Sequence, residues 1–323
     1  MINNAGYEIV VDDFVQFVDT GNKPERLCTG FKWTEGPVYV CEKEALLFSD
    51  IPNNCIMQWQ RDKGVSYYLK PSNFSNGNSL DKDGLLITCE HGGRRVIRHL
   101  SNGKKEILAD NFKGRKLNSP NDVVISRDGA IWFTDPPYGI LSNVEGYKAK
   151  SELDKNYVFR IDPHTKNIDI VADDFDKPNG LAFSPDEKKL YIADSGAING
   201  ASDPSFNPHA PHHIRCFDVL NGRSIRNSKI FATISQGVPD GIRVDSEGFV
   251  WSSAADGVHC YSPTGTLYGK ILIPEVVANL TFGGQNGSYL FITASTSIYG
   301  VETYRQDAKK DQASLKKPPS SNK

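Results

Sequence analysis

One pattern recurs six times along the chain, and few folds accommodate it. A polar residue opens an alternating apolar stretch, a turn rich in Asp and Gly follows, and a second apolar stretch ends in small or polar residues. The copies begin at Gly36-Pro37-Val38, Asn78-Ser79-Leu80, Asn121-Asp122-Val123, Asn179-Gly180-Leu181, Asp240-Gly241-Ile242 and Asn279-Leu280-Thr281. Most openings lie about 40 residues apart, the period of a four-stranded propeller blade, and two longer intervals leave room for insertions. Between copies come further short strands such as Cys55-Ile56-Met57-Gln58-Trp59 and His213-Ile214-Arg215-Cys216-Phe217, each followed by a turn. Helical periodicity over ten or more residues is absent. The expectation is an all-β, six-bladed β-propeller over residues 1–305. At about 150 residues per domain the 323-residue chain would otherwise suggest two domains.

The insertions fall at 138–156 and 196–211. The second, with turn chemistry throughout, reads as a long functional loop. The stretch from Gln306 to Lys323 is polar and Lys-rich, and reads as a flexible tail. Lys and Arg number 37 against 39 Asp and Glu. That balance excludes an electrostatic grip on nucleic acid or an anionic membrane surface. No apolar run approaches the roughly 18 residues a membrane helix needs. Glu8, Asp12 and Asp13 interrupt the N-terminus, so it does not read as a secretory signal. Six scattered cysteines without a Cys-x-x-Cys pair point to buried thiols in a reducing, cytoplasmic setting.

In a propeller the innermost strands line the axis, so equivalent repeat positions converge there. The residues at the openings are Glu35, Asn78, Asn121, Asn179, Asp240 and Asn279, every one able to offer a side-chain oxygen. Asn179-Gly180 and Asp240-Gly241 taken singly also suit a turn. Taken together, six oxygens and two negative charges suit a hard divalent cation. Two carboxylates match a +2 charge, and the absence of His and Cys disfavours a tight zinc or copper site.

Thr34-Glu35-Gly36-Pro37, Ser119-Pro120-Asn121-Asp122, Lys177-Pro178-Asn179-Gly180-Leu181 and Val238-Pro239-Asp240-Gly241 resemble signature segments of the gluconolactonase/regucalcin-like (senescence marker protein) family of calcium-dependent hydrolases. Cys89-Glu90-His91-Gly92-Gly93-Arg94-Arg95-Val96 and Trp132-Phe133-Thr134-Asp135-Pro136-Pro137-Tyr138 resemble its bacterial and fungal gluconolactonase branch. The resemblance runs from about Phe31 to Thr293 and implies a six-bladed propeller. It places the metal ligands at Glu35, Asn121, Asn179 and Asp240, leaving Asn78 and Asn279 to face substrate or water. It implies one divalent cation, Ca2+ first, with Mg2+, Mn2+ or Zn2+ as alternatives.

A cation with open positions polarises a carbonyl and stabilises an oxyanion. A sugar lactone offers that carbonyl, and its ring opening gives the aldonic acid. Asp240 is the expected carboxylate for activating water, as base or nucleophile. Asp122, next to a ligand, is a second candidate base or a local turn cap. His91, Asp135 and Tyr138 sit where strands leave for loops and are candidate substrate contacts, with His91 also suited to a structural hydrogen-bonding role. Trp132, Phe133 and Trp251 read as blade core. Two further functions remain open at this level: an esterase or phosphotriesterase on the same metal site, and a non-catalytic binding propeller.

Overall fold

The Asp/Gly turns of the repeat close hairpins by one device. In the computed structural model, which describes residues 2–4, 6–198, 207 and 209–308, Asp81 Oδ1 accepts the Asp83 and Leu85 N–H groups, both at 2.9 Å. Asp245 Oδ1 does the same for Glu247 and Phe249 at 3.0 Å. Gly84 and Gly248 complete these turns at φ +76° and +87°, a region other residues avoid.

The strands joined this way form six antiparallel sheets. Blade 1 comprises Thr34–Val40, Ala45–Asp50, Cys55–Gln60 and Gly64–Leu69. Blade 2 comprises Ser75–Leu80, Leu86–Glu90, Arg95–His99 and Lys105–Ala109. Blade 3 holds Val123–Ile125, Ile131–Asp135, Asn156–Ile161 and Ile168–Phe175. Blade 4 holds Pro178–Phe183, Lys189–Asp194, His213–Leu220 and Ser224–Thr233. Blade 5 is built on Ile242–Val244, Val250–Ala254, Gly257–Tyr261 and Leu267–Leu272. In blade 6, Val277–Gly283, Tyr289–Ala294 and Ser297–Glu302 are joined by Glu25–Thr29 from the other end of the chain. Each innermost strand touches the next, and blade 6 returns to blade 1. The ring is therefore closed.

Aromatic side chains fill the gaps between blades. Trp132 meets Phe183 edge-on across blades 3 and 4 at 5.5 Å, and Trp251 meets Phe282 across blades 5 and 6 at 6.0 Å. Trp132, Phe133 and Trp251 are fully buried, as blade core requires. Burying one Phe of this kind stabilises by roughly 1.5–3 kcal/mol.

Two features near the chain ends depart from the repeat. Tyr7–Ile9 pairs with the outer edge of blade 5 and Ile2–Asn4 pairs with it in turn, widening that sheet to six strands. Lys270 anchors the addition through Glu8 at 3.1 Å. At the other end the first residues of the expected tail, 306–308, are bonded to blade 5. Ser246 donates to the Gln306 carbonyl at 2.8 Å, and Ala308 donates to Val244 at 3.2 Å. The buried Arg305 guanidinium bonds Asp245 at 3.0 Å and lies against the Phe17 and Phe249 rings. Residues 309–323 lie outside the described residues, as do 199–206 and 208 of the second insertion. No helix among the described residues is long and apolar enough to cross a membrane. All six cysteines are free thiols, four of them buried.

Candidate metal centre and active site

Backbone hydrogen bonds between neighbouring inner strands define which residues share one level of the axis. Gly77 N–H donates to Asn121 O at 2.8 Å, Gly180 to Asp240 O at 3.0 Å, and Gly241 to Ala278 O at 2.8 Å. In each case the residue after the axial position bonds the axial residue of a neighbouring inner strand. A Cβ on Gly36, Gly77 or Gly180 would overlap the carbonyl of Asn76, Asn121 or Asp240 respectively. Gly77, Gly180 and Gly241 have no positive φ. They are needed for close approach of inner strands rather than for a turn.

This register corrects the ring in two blades. The axial residues are Glu35, Asn76, Asn121, Asn179, Asp240 and Ala278. Asn78 lies two residues beyond its blade's axial position and is wholly engaged in protein bonds. Its Nδ2 donates to Gly36 O, Ser49 Oγ and Asn76 O at 2.9–3.0 Å, and its Oδ1 accepts from Thr88 Oγ1 at 2.9 Å. Asn78 therefore stitches blades 1 and 2, with both side-chain polar atoms bonded to protein. Asn279 lies one residue beyond Ala278. Its Oδ1 accepts from Leu280 N–H at 2.8 Å, and its Nδ2 donates to Glu35 Oε2 at 3.0 Å. It positions Glu35 rather than facing substrate. Asn76 was missed, although Ser75-Asn76-Gly77 carries the same Asn-Gly pair as Asn179-Gly180.

Glu35, Asn76, Asn121 and Asn179 are all at least nine-tenths buried, whereas Asp240 stays partly open to solvent. Burial, then the Asp122 charge, pushes the Glu35 carboxyl up to about 8, against the Gly36 N–H, Asn279 and the Arg243 guanidinium. Burial of the carboxyl, then the charges of Glu35 and Asp122, raises Asp240 well above the usual carboxylate range. Asp122 shares this environment. Its Oδ1 accepts its neighbour Val123 N–H at 2.8 Å, as Asn279 does with Leu280, while Oδ2 is buried without a hydrogen bond. Burial raises its pKa and Arg243 opposes the rise.

The other candidates line the same end of the axis. Tyr138 opens a single helical turn, Tyr138–Leu141, and burial followed by the Asp240 charge raises its hydroxyl well above the ordinary value. Ser195 and Asn179 face that hydroxyl. Asp135 Oδ2 accepts from Asn118 N–H at 2.8 Å, and burial pushes the carboxyl up to about 7. It holds the chain entering the Ser119–Asn121 segment. His91 is buried, with Nδ1 3.1 Å from Glu145 O and Nε2 3.3 Å from Asn76 Nδ2. The first insertion thus folds back over the site through Glu145. A cavity of about 440 Å³ between blades 4 and 5, lined by Lys189, Tyr191, Lys229 and Phe231 among others, contains no axial residue.

The donor set fits a hard cation. The Glu35 and Asp122 charges raise the proton affinity of Asp240, and the Asn179 amide bonds its carboxyl. Among the described residues no three His, Cys, Asp or Glu side chains are placed to hold an ion by themselves, so such an ion would draw on Asn oxygens as well.

Residues 33–296 match the model of the SMP-30/Gluconolactonase/LRE-like region. A gluconolactonase of Zymomonas mobilis is 33% identical over 307 residues, covering 88% of this chain and 83% of its own. The structure of a gluconolactonase from Xanthomonas campestris superposes with a TM-score of 0.83 at 32% identity, over 92% of this chain and 94% of that one. Regucalcin from Agrobacterium tumefaciens, a calcium-binding protein, shares the fold at a TM-score of 0.70 and 16% identity, over 88% and 96% of the two chains. The six blades, the axial oxygens and these matches agree: the chain belongs to the SMP-30/gluconolactonase/LRE-like family.

Proposed function

We propose that the protein is a sugar lactonase working with one divalent cation, calcium in the first place, held by Glu35, Asn121, Asn179 and Asp240. The relatives that are named lactonases support the reaction, and the axial oxygens with two carboxylates support the cation. When bound, such an ion supplies Lewis acidity toward the lactone carbonyl.

The chain's own groups supply the rest. Asn279 and the Gly36 N–H, 3.0 and 2.6 Å from Glu35 Oε2, leave the other Glu35 oxygen to face the axis. Asp240 is the less buried of the two axial acidic residues, and in this reading it takes the proton of the attacking water. Asp122 is a poorer base, because Oδ1 is tied to Val123 N–H and the residue is sealed from solvent. The Tyr138 hydroxyl, beside Asn179 and Ser195, contacts the substrate's ring. The first insertion, folded over the site, limits access of bulk water.

The test is hydrolysis of gluconolactone, other aldonolactones and a phosphotriester, with and without exhaustive chelation checked by elemental analysis. Lactone turnover that is lost on chelation and returns with calcium is expected. Full turnover by metal-free protein would overturn the cation, and turnover of the phosphotriester alone would overturn the lactone.

A further inference from the structure

Asn76 is the oxygen-bearing axial residue that neither the repeat nor the family resemblance singled out. Its side chain is 4% exposed, and its Oδ1 is buried with no hydrogen-bond partner. Its backbone is locked, because Asn76 O accepts from Ser49 Oγ at 2.6 Å and from Asn78 Nδ2 at 2.9 Å.

The orientation of the amide follows from His91. Nδ1 of the imidazole faces the Glu145 carbonyl, which can only accept, so the ring proton sits on Nδ1. Burial pushes His91 down to about 4, so at neutral pH Nε2 carries no proton and is an acceptor. The group facing it must be the Asn76 NH2, and Oδ1 lies on the opposite side of the same planar amide. A buried acceptor without a donor is costly to keep, and such groups in native proteins call for an explanation.

We propose that Asn76 is a substrate-recognition residue whose Oδ1 accepts a hydrogen bond from a hydroxyl of the lactone, and that His91 is the positioning residue that aims it. This rests on the lactonase reading. Glu145, whose carbonyl orients His91, belongs to the insertion over the site, so the placement of that segment and substrate recognition share one hydrogen-bonded line. Direct ligation of the cation by Asn76 is the competing role.

The experiment compares wild type with Asn76→Ala, Asn76→Ser, His91→Phe and His91→Gln. KM and kcat are measured on gluconolactone and on deoxy-lactones each lacking one hydroxyl, and calcium affinity is measured by calorimetry. Loss of one such hydrogen bond should raise KM for gluconolactone about tenfold in Asn76→Ala, with calcium affinity within about twofold. For the one deoxy-lactone lacking the recognised hydroxyl, wild type and variant should be alike. His91→Phe should reproduce the KM rise, and His91→Gln, which can accept from Asn76 and donate to Glu145, should restore it. Asn76→Ser keeps the question answerable if alanine unsettles the inner strand. An unchanged KM, or a rise equal for every lactone, overturns the proposal, and so does a calcium affinity weakened with KM unaltered. Wild type inert on all lactones would instead sink the lactonase reading itself.

Discussion

Replacing Asn279 by alanine removes a contact to Glu35 without replacing a proposed ligand. Two donors hold Glu35 Oε2: the Gly36 N–H at 2.6 Å and Asn279 Nδ2 at 3.0 Å. A hydrogen bond to a charged acceptor contributes about 1.5–3 kcal/mol. Because the shorter of the two bonds survives, the loss falls near the lower figure, and calcium binding should weaken about tenfold, at 1.4 kcal/mol per decade. The same substitution removes the acceptor of the Leu280 N–H at 2.8 Å. Stranding that donor costs about 1–3 kcal/mol, a fall in apo Tm on the order of 2–6 °C. The assay is calcium titration of chelator-stripped protein by calorimetry, with thermal melting of the same samples. A melting point lowered as expected beside a calcium affinity within about threefold of wild type would show that Asn279 only supports its strand, since the predicted loss is about a decade.

Asp240→Asn and Asn179→Ala should part company at saturating calcium. The first keeps an oxygen but loses its basicity, at a cost on the order of 10²–10⁴ in kcat, whereas calcium should recover much of the second; a calcium-loaded Asp240→Asn enzyme within about tenfold of wild type would make Asp240 a ligand alone. Glu90 supplies a test in pH. Burial opposes its ionisation, yet Arg95, Asn73 and Lys105, at 2.6, 2.8 and 2.9 Å, outweigh burial and hold its pKa below the ordinary value. A carboxylate lowered on folding contributes stability that is fully present above its unfolded pKa and lost as pH falls through the folded one. Glu90→Gln should therefore be less stable than wild type at pH 7, with the gap in denaturant midpoint closing below about pH 4; a gap independent of pH refutes this.

The blades were legible because each repeats two inner strands and the Asp/Gly turn between them, all within a short window. The partner of Glu25–Thr29 lies near the far end of the chain, and the pairing of Tyr7–Ile9 with blade 5 spans a similar distance, so no local pattern reports them. The axial level was legible where a proline marks it, in Gly36-Pro37, Pro120-Asn121, Pro178-Asn179 and Pro239-Asp240. Blades 2 and 6 lack that proline. There the choice went to an Asn at the head of the apolar stretch, and it slid by two residues to Asn78 and by one to Asn279. Ala278 could not be recognised from an oxygen pattern because it has no side-chain oxygen. Which way the Asn76 amide points depends on His91 and Glu145, a relation that only the folded chain contains.

The strand that completes blade 6 has a consequence during synthesis. Thr29 meets Ser297 across 268 residues. At about 5–20 residues per second on the ribosome, the first of these waits roughly 13–54 s for the second. Throughout that interval blade 1 has no neighbour on one side, and Glu35 lacks Asn279. A nascent chain of five blades would expose two sheet faces and an acidic half-ring without its closing donor. The ring, and with it the donor that Asn279 gives Glu35, is therefore completed only when the last blade is made.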